Sequence, residues 1–215
     1  MNPIETYIHR YSSPEDPLLE ELDRATHHRM VAPRMISGHI QGKFLQLLTA
    51  SLRPRRVLEI GTFTGYSALS IAAGLEADAR LDTFEVDDEQ ETFIQGFFDR
   101  SPHGKKIRLH IGSALDRAPE LGEVYDLVFI DGDKREYPAY LRMLLGDESG
   151  VPLVHSGSLL IADNILWYGK VTEPARTGDH HTEALQRFNR MVVEDERLES
   201  VILPLRDGLN LIRVK

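Results

Sequence analysis

Glu59-Ile60-Gly61-Thr62-Phe63-Thr64-Gly65-Tyr66-Ser67 closes a short apolar run at 56–60 and leads into a helix-like run at 66–74. A strand ending in a glycine-containing turn before a helix lets the backbone bend sharply and approach a ligand closely. The loop lacks the G-x-G-x-x-G spacing that seats a pyrophosphate on a helix N-terminus, and it lacks the Lys-Ser/Thr ending of a P-loop. A phosphate-free nucleoside fits it better. The next strand-like run ends near Glu85, whose carboxylate is placed to accept hydrogen bonds from both hydroxyls of a ribose. Adenosine with a sulfonium side chain matches the loop and the carboxylate together, although Gly61, Gly65 and Glu85 would equally serve a plain tight turn and a solvated strand end.

Working outward, helical periodicity covers 18–30 and 38–52 ahead of this loop. Behind it, strand-like runs at 80–86, 107–111, 125–130 and 158–162 alternate with helical runs near 66–74, 88–100, 113–121 and 135–145. Such alternation predicts a parallel sheet covered by helices on both faces. The chain closes on two strand-like runs, 199–205 and 209–214, joined through Arg206, Asp207 and Gly208 as an antiparallel hairpin. The expected fold is α/β and Rossmann-like: one domain over 1–215 with a seven-stranded, mostly parallel sheet. In such a sheet ligands bind beyond the carboxyl ends of the strands, so the residues just after each strand carry the functional reading.

Composition narrows the classes. The 215 residues are 41% hydrophobic, enough for one domain with a real core, and 34 acidic against 25 basic side chains give a formal net charge of −9. That balance disfavours nucleic acid and anionic membranes as partners. With no cysteine, disulfides, thiolate nucleophiles and cysteine-ligated zinc are excluded, and any metal must use oxygen or imidazole ligands. No signal-like apolar run opens the sequence and no stretch of about 18 apolar residues crosses a membrane, so a cytoplasmic location is the expectation.

The run 125–130 opens directly into Asp131-Gly132-Asp133-Lys134, and the run ending at Ala162 opens into Asp163-Asn164. On neighbouring parallel strands, Asp131, Asp163 and Asn164 form a hard, oxygen-only set suited to Mg²⁺, which keeps several positions for water or substrate oxygens. Taken singly, an aspartate after a strand is an ordinary helix N-cap. Lys134, otherwise a solvated first-turn lysine, is positioned beside such a set to act as a base.

At this point the sequence resembles the cation-dependent O-methyltransferases, the class I family that includes caffeoyl-CoA and catechol O-methyltransferases and bacterial relatives. The resemblance runs through Met35-Ile36-Ser37-Gly38-His39-Ile40-Gln41-Gly42, the Glu59–Ser67 loop, Asp131–Lys134, Asp163-Asn164-Ile165-Leu166-Trp167 and Pro204-Leu205-Arg206-Asp207-Gly208-Leu209. It implies that Ser37, Glu59, Gly61, Thr62, Ser67, Glu85, Ala114 and Asp133 line an S-adenosylmethionine site. It further implies that Asp131, Asp163 and Asn164 ligate Mg²⁺ or another divalent cation such as Mn²⁺ or Ca²⁺, with Lys134 and Asp131 catalytic. Trp167 and Tyr168 then face a small catechol-like or caffeoyl-type acceptor, helices in about 1–52 cover the site, and the protein is a homodimer. Two positions depart from the family pattern: Gly132, where alanine is commoner, and Tyr168, where the plant caffeoyl-CoA enzymes carry asparagine.

Two other readings stand beside this one: methylation of 5-hydroxyuridine in tRNA, against which the acidic balance speaks, and a non-catalytic nucleoside-binding protein. A nicotinamide dehydrogenase is weaker still, because the pyrophosphate fingerprint is missing. The pairs His27-His28 and His180-His181 are poor metal sites, since adjacent side chains point apart. Phe93, Phe97 and Phe98 read as core or subunit contact. Residues 172–181 read as a mobile loop after the acceptor segment and a candidate lid.

Overall fold

The computed structural model describes residues 3–147 and 150–215. Seven strands, β1 (Arg56–Ile60), β2 (Arg80–Glu85), β3 (Ile107–Ile111), β4 (Tyr125–Ile130), β5 (Val154–Ala162), β6 (Leu198–Leu203) and β7 (Leu209–Val214), form one sheet in the order β3-β2-β1-β4-β5-β7-β6. All neighbouring pairs from β3 to β5 are parallel, whereas β7 is antiparallel to both β5 and β6. The closing hairpin is thus present, but its second strand inserts next to β5 and pushes its first strand to the sheet edge. Six strands run one way and β7 alone runs the other.

Eight α-helices accompany the sheet among the described residues: α1 (Pro3–Tyr11), α2 (Pro17–Arg29), α3 (Gly38–Leu52), α4 (Tyr66–Gly74), α5 (Glu91–Arg100), α6 (Ala114–Arg117), α7 (Tyr137–Leu145) and α8 (His180–Glu194). Local chemistry sets several boundaries. Asp16 caps α2 by accepting from the Leu18 N–H at 2.8 Å, with Pro17 at the first helical position. Asp179 caps α8 by accepting from the Thr182 N–H at 3.2 Å. The expected loop at 172–181 is present over 173–179, with Thr172 closing a 3-10 segment, Trp167–Thr172, and His180 and His181 opening the first turn of α8. Polar residues dominate that first turn, which is why the helix is hard to see by periodicity.

Central strands β1 and β4 are buried on both faces and read as continuous apolar runs for that reason. One core layer packs Tyr137, Leu141, Leu185 and Phe188 of α7 and α8 against Val128, Ile130 and Leu160, and the opposite layer packs α2 to α5 against Val57, Leu81 and Phe129. Phe97 and Phe98 belong to the second layer, with Phe93 packed at its margin. Helix α4, buried from Tyr66 to Ala72, lies under α3. Gly42 permits that contact, because a Cβ there would stand 2.7 Å from both Ser70 Oγ and Tyr66 Cε1. The close crossing fixes where the N-terminal end of α3 reaches. Among the described residues no helix is long and apolar enough to cross a membrane.

Candidate active site

Strand register brings the functional residues together. Ile60 pairs with Phe84 of β2 and Ile130 of β4, and Ile130 pairs with Ala162 of β5. The residues that follow, Gly61, Glu85, Asp131 and Asp163, therefore form one row along the carboxyl edge of the sheet. Backbone bonds lock the row: the Asp131 N–H donates to Ile60 O at 2.8 Å and the Asp163 N–H to Ile130 O at 2.9 Å. Gly61, at φ +99°, is required twice over, since a Cβ there would lie 2.5 Å from the Asp131 carbonyl oxygen.

On the β1–β2 side, Glu85 is fixed by three backbone donors. Phe63 N–H reaches one carboxylate oxygen at 2.6 Å, and the Val86 and Asp87 N–H groups reach the other at 2.9 and 3.0 Å. Glu59 is fully buried; one oxygen accepts from Thr83 Oγ1 at 2.5 Å and the other has no partner in the chain. Burial pushes its carboxyl up to about 8, against the opposing pull of the Ser67 and Thr83 hydroxyls, with the charges of Asp131 and Glu85 adding to the rise. A buried glutamate oxygen without a hydrogen-bond partner, beside a glycine turn, is left for a ligand to satisfy. Thr62 and Ser67 are buried in the same loop and the helix start behind it, Ser37 is buried just ahead of α3, and Ala114 is buried at the start of α6. Asp133 is differently placed: its carboxylate is gripped by the Arg135 backbone N–H and guanidinium, and Arg135 holds it below the usual aspartate range.

On the β4–β5 side, Lys134 Nζ donates to Asp131 Oδ1 at 2.7 Å, and both side chains are largely buried. Asp163, 3% exposed, accepts from the Asn164 N–H at 2.7 Å and from Gln41 Nε2 at 2.6 Å. Burial first, and then the Asp131 charge, push its carboxyl up to about 7, with Lys134 and Gln41 pulling the other way. Asn164 sits at φ 57°, a left-handed conformation asparagine tolerates well. The buried Tyr137 hydroxyl donates to Ile130 O at 3.0 Å and Asp163 O at 2.9 Å, tying the two strand ends. Among the described residues no three His, Cys, Asp or Glu side chains gather as a metal site; the expected set has two carboxylates and one amide.

The acceptor segment follows. Trp167 stacks on His181 at 5.5 Å and 15°, its indole N–H buried without a partner, while Tyr168 is 82% exposed. His181 thus belongs to the Trp167 wall, His180 pairs with Glu183, and His27 with Asp23. Gly132 has a local explanation: a Cβ would meet the Tyr140 hydroxyl at 2.7 Å, so Tyr140 fills the space of the commoner alanine.

Sequence reading missed Gln41 and Tyr137. Gln41 shares the buried face of α3 with Gly42, Leu45 and Thr49. A fully buried amide on an apolar helix face was the available signal, but only the tertiary contact gives it a partner 122 residues away.

Residues 9–215 match the family model described as O-methyltransferase. A catechol O-methyltransferase from Niastella koreensis is 34% identical over 189 residues, spanning 81% of this chain and 80% of that one. A caffeoyl-CoA O-methyltransferase from Petroselinum crispum is 30% identical over 83% of this chain and 76% of its own length. Among solved structures, the O-methyltransferase TomG from Streptomyces achromogenes, involved in tomaymycin synthesis and crystallised with S-adenosylmethionine, superposes with a TM-score of 0.90 at 28% identity, covering 100% of this chain and 96% of that one. With the whole sheet, its row of strand-end acids and this breadth of similarity in agreement, the chain belongs to the O-methyltransferase family.

Proposed function

We propose that the chain transfers the methyl group of S-adenosylmethionine to a hydroxyl oxygen of a small catechol-like acceptor, with a divalent cation held by Asp131, Asp163 and Asn164. The observation that carries this reading is the buried Asp131–Lys134–Asp163 cluster at the carboxyl ends of β4 and β5, one strand from the Gly61 turn. The donor assignment is supported by the orphaned Glu59 oxygen, by the anchored Glu85 carboxylate and by the S-adenosylmethionine bound in TomG. In this reading Ser37, Glu59, Gly61, Thr62, Ser67, Glu85, Ala114 and Asp133 surround the donor.

The residues fit a hard cation. Asp131, which accepts from Lys134, and the buried Asp163 repel one another, and that repulsion contributes to holding Asp163 above its ordinary range. A bound divalent cation would neutralise the pair, acidify a coordinated hydroxyl and orient it. Gln41 orients Asp163, and Tyr137 keeps the two strand ends at fixed separation. Lys134 Nζ, 2.7 Å from Asp131 Oδ1, receives the acceptor proton after passing one of its own to solvent. The acceptor oxygen attacks the sulfonium methyl carbon, the carbon–sulfur bond breaks onto sulfur, and S-adenosylhomocysteine leaves. Trp167 and Tyr168 form the acceptor wall, and the helices ahead of β1 cover the site. A homodimer and a cytoplasmic location belong to the same proposal; the exposed Ile4, Tyr7 and Tyr11 of α1 offer apolar surface for a second copy.

The test is methyl transfer from labelled S-adenosylmethionine to catechols, caffeoyl esters and hydroxyuridine-containing tRNA, each with Mg²⁺ and with EDTA. Chelator-sensitive methylation of a catechol is expected. Transfer to tRNA alone would overturn the acceptor class, and transfer undiminished by EDTA would overturn the cation.

A further inference from the structure

The turn between β6 and β7 touches both halves of the site. On one side it is zipped to the acceptor segment: the Ile165 N–H donates to Gly208 O at 3.2 Å, the Leu166 N–H to Asp207 O at 3.0 Å, and the Tyr168 N–H to Asp207 Oδ1 at 2.7 Å. On the other side Arg206 Nη1 donates to Ile36 O at 2.9 Å and also to Ser37 O. Ile36 and Ser37 are each 6% exposed and lead directly into α3, whose Gln41 holds Asp163. Arg206 sits at φ 52°, a left-handed conformation uncommon for a residue other than glycine. The hydrogen-bond partners of its guanidinium are those two carbonyls. A charged donor satisfied by backbone carbonyls makes strong, directional bonds that place a segment rather than neutralise a charge.

We propose that Arg206 is a positioning residue that couples the two substrates, holding the Ile36–Ser37 segment against the same turn that carries the acceptor segment. An acceptor that orders residues 164–168 then firms the turn, and through Arg206 firms the wall around Ser37. The proposal rests on the assignment of Ser37 to the donor side and of 167–168 to the acceptor side.

The experiment is calorimetric binding of S-adenosylhomocysteine to the full chain, with and without catechol at saturating Mg²⁺, so that no turnover intervenes. In the unaltered chain catechol should tighten S-adenosylhomocysteine binding. Arg206→Ala should weaken that binding by about tenfold, as loss of a charged hydrogen bond implies, and abolish the effect of catechol. Arg206→Lys, which keeps the charge and can reach one carbonyl, should recover part of both. Asp207→Ala should weaken catechol while leaving S-adenosylhomocysteine alone unchanged. Thermal midpoints are read in parallel, and if Arg206→Ala does not fold, the lysine variant decides through its reduced coupling. Unchanged coupling in both Arg206 variants would overturn the proposal, as would a loss of affinity in Asp207→Ala equal to that in Arg206→Ala. An unaltered chain that binds no S-adenosylhomocysteine would instead defeat the donor assignment beneath it.

Discussion

The two halves of the site are built on opposite principles. Around β1 and β2 the fold itself holds the acids: Glu85 takes three backbone N–H groups, and Glu59 takes the Thr83 hydroxyl. Around β4 and β5 side chains do most of the holding: Asp131 accepts from Lys134, and Asp163 accepts from Gln41 of α3 besides the Asn164 N–H. Donors supplied by the backbone are already in place before any ligand arrives, so the first half is preorganised. The second half sets two like charges side by side where water is scarce, a repulsion that a bound cation would relieve. Preorganisation therefore belongs to the half read as the donor site, and unresolved charge to the half read as the cation site.

The most severe way to break this contrast is Asp163→Ala. Cation-dependent turnover should fall to the limit of detection while S-adenosylhomocysteine still binds, because none of the bonds that fix Glu59 and Glu85 involves Asp163. Turnover that persists, titrated against Mg²⁺, would defeat the cation assignment. Lys134→Ala comes next: removal of a general base should lower kcat by about 10²- to 10³-fold with the Mg²⁺ requirement retained, and normal turnover across the pH range would eliminate Lys134 as the base. Gln41→Ala should cost about tenfold, read as a higher Mg²⁺ concentration for half-maximal rate, since the amide orients a ligand without being one. A rate loss with unchanged Mg²⁺ dependence would assign Gln41 to packing instead.

The smallest effect sharpens the comparison from the other half. Because the Glu59 carboxyl is pushed up to about 8 in the fold, chiefly by burial, the native chain keeps a proton that the unfolded chain releases near the ordinary glutamate range. That contribution to stability is fully present below the unfolded value and is lost as pH rises through about 8. Without ligands, the melting temperature should fall by a few degrees between pH 5 and pH 8.5, and Glu59→Gln should flatten the slope. An identical slope in the glutamine variant would place the titration elsewhere.

Much of this is legible in the sequence. The strand-end acids Asp131 and Asp163 lie where an apolar run stops, and a run buried on both faces has to stop where the chain meets solvent or ligand. Glu85 was legible for the same reason. Helix α8 was not, because polar residues and an approach broken by Pro174 and Gly178 mask its start, and β7 inserts beside β5 through pairing that no local pattern records. Gln41 and Tyr137 look like misplaced polar residues in sequence; their partners are a carboxylate and two carbonyls brought in by the crossing of α3 and by the β4–β5 register.

By itself the sequence determined the alternating elements, the glycine turn and the acids behind the strands, because hydrophobic period and chain breaks are local properties. Only the tertiary structure decided that Gly61 must be bare to admit the Asp131 carbonyl, that Asp163 is paired with Gln41, and that Arg206 joins the Ile36–Ser37 segment to the 164–168 turn. Those are contacts between residues far apart in the chain, and their energies depend on separations that strand register and helix crossing alone can set.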